Sequence, residues 1–179
     1  MPDSQNGRRR RVIQSNVDQS QIRWPERFDP RRAPVFVSNE LSVTASAEAV
    51  WEWLIRASLW PSYYSNSADV VLDGGAEELG EGTRFRWKTF GVKLRTQVTE
   101  FEPVQRIAWL AEGRGVEAYH AWLLTPEPNG GCHILTQETQ YGWLARLGKV
   151  LMPGRMHRQH QRWLEGLAAV AATPPPLRS

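Results

Sequence analysis

Between residues 83 and 139 the chain runs through five stretches in which bulky residues occupy every second position, each followed by a short turn. The alternating sets are Phe85 and Trp87; Leu94, Thr96 and Val98; Ile107 and Trp109; His120, Trp122 and Leu124; and Ile134, Thr136 and Glu138. A period of two puts each set on one face of a β-strand, so one face of a sheet is turned toward a core. The expected strands are Thr83–Thr89, Val92–Phe101, Arg106–Glu112, Val116–Thr125 and Cys132–Thr139, separated by Phe90-Gly91, Glu102-Pro103, Gly113-Arg114-Gly115 and Pro128-Asn129-Gly130-Gly131. Val35–Val43 and Ala68–Leu72 read as two further strands, which makes seven.

The period changes twice. After the first strand, Ser46 stands where a helix N-cap belongs, Glu48 complements the helix dipole, and Val50, Trp53, Leu54 and Ala57 share one helical face. Trp60-Pro61-Ser62-Tyr63-Tyr64 then reads as a second short helix or a loop, ahead of an acidic, Gly-rich loop at Asp73–Gly82. After the last strand a helix begins near Trp143, breaks at Pro153-Gly154 and resumes from Arg155 to about Ala172. In its second part Met156, His160, Trp163, Leu167 and Val170 recur at spacings of four, three, four and three, which defines one face.

These elements do not match in width. Seven strands at about 4.8 Å spacing make a sheet over 30 Å wide, whereas one helix with its side chains covers about 10–12 Å. The sheet must curl, and bulky side chains that hold the helix away from it leave a pocket between them. Turn lengths also set the register: a two-residue turn at Arg114-Gly115 pairs Gly113 with Val116 and places Trp109 opposite His120, and the 126–131 turn then brings Glu138 or Thr136 beside His120. A carboxylate and an imidazole would thus face an apolar interior.

Composition bounds the possible functions. The 179 residues suit one globular domain, and the net charge of +3 is uneven: residues 1–34 carry eight Arg against four acidic residues, leaving fourteen basic and fifteen acidic in 35–179. A near-neutral body argues against a nucleic-acid surface. Residues 1–33 read as a disordered Arg-rich arm that becomes ordered near Trp24-Pro25-Glu26-Arg27-Phe28, a stretch that packs either on the domain or on a second subunit in a homodimer. Residues 173–179 form a Pro-rich tail. Cys132 is the single cysteine, so no intrachain disulfide or Cys-type zinc site is expected, in keeping with a cytoplasmic location. Nothing approaches the roughly 20 apolar residues of a membrane span, and no phosphate loop, dinucleotide fingerprint or nucleophile elbow implies a cofactor or covalent catalysis.

The order of elements resembles the α+β helix-grip fold of the START and birch-pollen-allergen-like superfamily, and most of all its bacterial polyketide cyclase/dehydrase branch, the SRPBCC proteins. The residues that carry the resemblance are Ala45–Leu54 with Trp60-Pro61, Gly80–Trp87, Pro103–Trp109, Tyr119–Trp122, Gly130–Cys132 with Thr136–Glu138, and the final amphipathic helix. It implies a START-like ligand-binding domain over residues 34–172: a curved seven-stranded antiparallel sheet around a long C-terminal helix, with two short helices after the first strand. The superfamily includes lipid carriers, receptors and aromatic polyketide cyclases and shares no universal catalytic motif, so function has to be argued from the pocket.

Glu138 and His120 are the candidates for chemistry, since an apolar pocket can tune both for proton transfer; the alternative is that they bond each other or a backbone group and only orient the pocket. The candidate pocket wall is Trp87, Trp109, Trp122 and Trp163, with Thr136 and Met156, His160 reaching in from the helix, and Tyr63 and Tyr64 on a rim of the entrance. His157 and His160 are three apart, but with no neighbouring carboxylate to complete a set, no metal site is expected. The expected function is binding of a small hydrophobic molecule, aromatic, polyketide-like or lipid-like. The alternatives are a cyclase or dehydratase using Glu138 or His120 as base, and a regulatory module engaging a partner through the N-terminal arm.

Overall fold

The structure, a computed structural model, describes residues 22–176. Its seven strands are β1 (Val35–Val43), β2 (Ser67–Leu72), β3 (Arg84–Thr89), β4 (Val92–Glu102), β5 (Arg106–Gly113), β6 (Val116–Pro126) and β7 (Cys132–Tyr141). They form one antiparallel sheet in the order β1-β7-β6-β5-β4-β3-β2, so the chain's first strand closes beside its last. Helices α1 (Ala47–Ile55) and α2 (Trp60–Tyr63) lie between β1 and β2, and α3 (Trp143–Leu151) and α4 (Arg155–Val170) follow the sheet. This is the helix-grip architecture the alternation pattern and the resemblance lead one to expect. Among the described residues no helix is long and apolar enough to cross a membrane.

Local chemistry accounts for the boundaries. The Ser46 hydroxyl accepts from the Ala49 backbone N–H and caps α1, as the sequence suggests. Gly154, in the left-handed region at φ 71°, separates α3 from α4 at a position where a side chain would strain the backbone. Irregular register between Ala68 and Val71 and between Val98 and Glu100 bends the sheet. Strand β7 runs two residues past its expected end, because Gln140 and Tyr141 still find partners in Val35 and Glu117.

The concave face carries the main core. Trp60 is its hub: its ring centroid lies 5.3 Å from Trp87, 5.5 Å from Trp109 and 5.0 Å from Trp163, and its Nε1–H donates to the Leu54 carbonyl at 2.9 Å. On α4 the buried residues are His160, Trp163, Leu164 and Leu167. Leu164 broadens the expected stripe, while Met156 and Val170 are only half-buried at its ends. Helix α4 meets α2 so closely that a Cβ at Gly166 would sit 2.1 Å from the Tyr63 carbonyl oxygen.

The convex face has its own, smaller cover. Phe28 packs with Ala108, Tyr119 and Ala121, flanked by Ile22 and Trp24. The Tyr119 hydroxyl donates to the Arg23 carbonyl at 3.2 Å, and Arg27 pairs with Glu117. Residues 22–28 therefore lie on their own domain. The Arg-rich run Arg8–Arg11 lies outside the described residues, and so do the last three residues of the Pro-rich tail.

Candidate functional site

Strands β5, β6 and β7 bring the polar cluster together through register alone. Trp109 pairs with His120, and His120 pairs with Glu138. All three side chains point to the concave face, where α4 lowers His160 onto them. The His120 and His160 rings are parallel, with centroids 4.8 Å apart. Glu138 Oε2 lies 3.2 Å from His120 Nδ1 and 3.2 Å from His160 Nε2, and Gln140 Nε2 donates to Glu138 Oε1 at 2.6 Å. One carboxylate is thus held between two imidazoles and an amide, with His120 and His160 each 2% exposed and Glu138 7%.

Proton counting defines the resting state of the cluster. Burial draws the His120 imidazole down to about 3, against the pull of Glu138, so the ring is neutral. Burial alone would raise the Glu138 carboxyl, but His120, His160 and Gln140 together hold it below its usual value, and it stays ionised. The His120 proton then belongs on Nδ1, where it donates to the carboxylate. Nε2, 2.8 Å from Thr136 Oγ1, is left to accept. Thr136 has one hydroxyl proton and a second acceptor, the Ala121 carbonyl at 3.2 Å. A turn of that hydroxyl accommodates either protonation state of His120.

Around this cluster the space between sheet and helices is not filled. A cavity of about 450 Å³ is lined by Trp87, Trp109 and Trp163, by Val92 and Leu94, by the three cluster residues with Gln140, and by Leu144, Ala145 and Gly148 of α3. Met152 and Met156 also reach it, as do Lys149 and Arg155 on its solvent side. The volume falls within the range of about 300–1,000 Å³ usual for small-molecule sites.

The candidate residues separate into two groups. Trp87, Trp109, His120, Glu138, Met156, His160, Trp163 and Tyr64 border the cavity. Trp122, Thr136 and Tyr63 do not. Trp122 is covered by Trp163 at 5.0 Å, Thr136 sits behind His120, and the Tyr63 hydroxyl turns away to the Trp53 carbonyl at 3.2 Å. Nor is Tyr64 on an exposed rim. It is 2% exposed and stacks on Trp163 at 4.4 Å, and burial pushes its phenol up to about 12, so it stays neutral.

The metal question also changes. His157 is exposed, but the fold supplies His160 with the carboxylate that spacing alone does not: His120, Glu138 and His160 offer three ligating atoms within 4.8 Å of one another and can hold a metal ion. A cation there would take the place of the ring protons that now bridge to Oε2. Two supporting residues lie outside the candidate set. Gln140 was readable, since it stands two positions after Glu138 on the same strand face. Asn39 was not: its Nδ2 donates to the His157 carbonyl at 3.2 Å and to Gln161 Oε1 at 3.1 Å, tying β1 to α4 across 118 residues or more of sequence.

A family model described as polyketide cyclase / dehydrase and lipid transport matches residues 34–172. No curated protein matches the chain. Among solved structures, a hypothetical protein from Helicobacter pylori is 37% identical with a TM-score of 0.79, the match covering 84% of this chain and 96% of that one. Zhui aromatase/cyclase from Streptomyces sp. R1128 is 15% identical, TM-score 0.64, over 77% of this chain and 93% of its own. Truncated norcoclaurine synthase from Thalictrum flavum is 14% identical, TM-score 0.60, over 79% and 95%. The last two share the fold.

Proposed function

We propose a function on the premise that the chain belongs to the polyketide cyclase / dehydrase and lipid transport family: it binds a small, largely planar hydrophobic molecule between the sheet and the C-terminal helices, with a polar group of that molecule on the Glu138 cluster. The observation that carries this reading is the cavity of about 450 Å³, walled by three tryptophans and bordered by a buried carboxylate that two imidazoles orient. Indole faces favour flat, polarisable ligands, and the ionised Glu138 selects a ligand that donates, such as a phenol or enol. Lys149 and Arg155 on the solvent side suit an acidic tail.

The cluster also bears on the catalytic alternative. A general base works best with a pKa near the working pH, whereas His120 and Glu138 are both drawn down, which makes them better as an anchor than as a base in the empty protein. What favours a second, enzymatic reading is the Thr136 hydroxyl, which has an acceptor ready for either protonation state of His120. In that reading Glu138 takes the ligand proton and keeps it, since His120 Nδ1 already donates to the carboxylate and Thr136 holds the ring in that tautomer.

Native mass spectrometry of the purified protein, followed by denaturing extraction and a tryptophan-fluorescence titration with polyphenols and fatty acids, tests the reading. The expected result is saturable binding that weakens about tenfold or more in Glu138→Gln, a loss of the size of one charge-assisted hydrogen bond. Failure of every compound to bind would overturn it. Turnover of a bound poly-carbonyl compound, lost in Glu138→Gln, would replace the carrier reading with the enzymatic one.

A further inference from the structure

Helix α3 leaves its most apolar side uncovered. Its one buried residue is Ala145, whereas Trp143, Leu147, Val150 and Leu151 are 60%, 44%, 75% and 66% exposed, and Met152 after them is 44% exposed. At about 100° per residue the four fall within one arc of roughly 100°, opposite Ala145. Leu144, Ala145 and Gly148 border the cavity, so this short helix has a cavity side and an apolar side turned to solvent.

Cations surround that outer side. Arg114 is at the tip of the β5–β6 hairpin, whose Gly115 lies against the Trp143 indole, Arg146 and Lys149 are on α3, and Arg155 and Arg158 open α4. Lys149 donates to the Pro34 carbonyl at 2.8 Å, Arg155 reaches Met152 Sδ at 3.2 Å and the face of Phe90, and Arg158 reaches the Pro153 carbonyl at 3.4 Å. Among the described residues none of the five has a carboxylate within ion-pair distance, and of the hairpin's acids Glu117 is engaged by Arg27 while Glu112 stands opposite Arg95 in the sheet register.

We propose that the outer face of α3 docks on an anionic membrane surface, with Trp143, Leu147, Val150 and Leu151 in the headgroup layer and the five cations on lipid phosphates. An amphipathic helix with an apolar stripe, a tryptophan and a basic margin has the composition of an interfacial anchor. A second copy of the chain fits the patch less well. A nine-residue helix offers a footprint of about 13 Å by 10 Å, far short of the roughly 800 Å² per partner of a stable interface. A two-fold axis through the patch would also set the same cations against one another.

The proposal goes beyond the cavity reading, and its test uses no cargo, so either can fail alone. Full-length protein is sedimented with vesicles of phosphatidylcholine, or of phosphatidylcholine with about 30% phosphatidylglycerol, at low and high salt. The expected result is binding to the anionic vesicles only, weakened by salt, and reduced about tenfold or more in Val150→Glu/Leu151→Glu, whose melting temperature stays at the wild-type value because both side chains are exposed. Three results would overturn it: no binding by the wild type; equal binding by the double variant, which would assign it to the Arg8–Arg11 run; or a wild-type dimer in light scattering that the double variant dissolves without any vesicle binding.

Discussion

The two ends of the space between sheet and helices use the same kind of inward-facing side chain to opposite effect. At one end α1, α2 and α4 press Trp60, Trp122, Trp163 and Leu164 into contact with no room left, and Gly166 is needed for α2 and α4 to meet. At the other end Trp87, Trp109, Val92 and Leu94 face a cavity, because α3 stands over them with only Ala145 buried. An aromatic residue in a strand becomes core or wall according to the helix above it. Trp163 does both, stacking on Tyr64 and bordering the cavity.

The largest effect separating the two ends should come from truncating a side chain at each. Trp163→Ala removes contacts to Trp60, Trp122 and Tyr64 and is expected to cost about 3–5 kcal/mol in chemical denaturation. Met156→Ala, half-buried beside the cavity, is expected to cost less than about 1 kcal/mol, since little packing is lost where little exists. Equal costs would mean that both ends are packed. A second contrast uses two helical glycines. Gly166→Ala drives a Cβ against backbone and should destabilise by about 1–3 kcal/mol, whereas Gly148→Ala on α3 meets nothing within 4 Å and should stabilise by about 0.5–1 kcal/mol through better helix propensity. A destabilising Gly148→Ala would place α3 closer to the sheet.

A third contrast lies on the boundary between the two ends, at the buried imidazole. His120 is drawn from 6.5 to about 3, so between those values the unfolded chain binds a proton that the folded one does not, and stability falls as pH drops. From about pH 7 to about pH 5.5 the loss from this one group comes to about 1 kcal/mol. Denaturant midpoints should follow that slope in the wild type and lose it in His120→Gln. A flat profile would mean that the cluster is open to water, and stability rising with acidification that the pull of Glu138 outweighs burial.

Much of the site was legible because antiparallel register is a counting problem. A two-residue turn at Arg114-Gly115 leaves Trp109 no partner but His120, and the count across the 126–131 turn narrows the next neighbour to Glu138 or Thr136, of which the register selects Glu138. The Ser46 cap and the helix break at Pro153-Gly154 were legible for a similar reason, as each depends on residues within a few positions. Tyr64 was misplaced on a rim, since only α4 folding back from a hundred residues downstream buries it. His160 was legible as a residue reaching into the pocket from the helix, but its partner Glu138 on β7 was not.

By itself the sequence determined which faces of which strands turn inward, where the helices begin and break, and that an imidazole and a carboxylate face the interior. Those are consequences of period, turn length and capping, which act over a few residues. Only the tertiary structure decided that His160 completes the cluster, that Trp122 and Thr136 lie behind the cavity wall, and that α3 covers the cavity with its apolar side outward. Each of these depends on where a helix lands on a curved sheet, and packing between elements far apart in the chain sets that landing through the shape of every side chain in between.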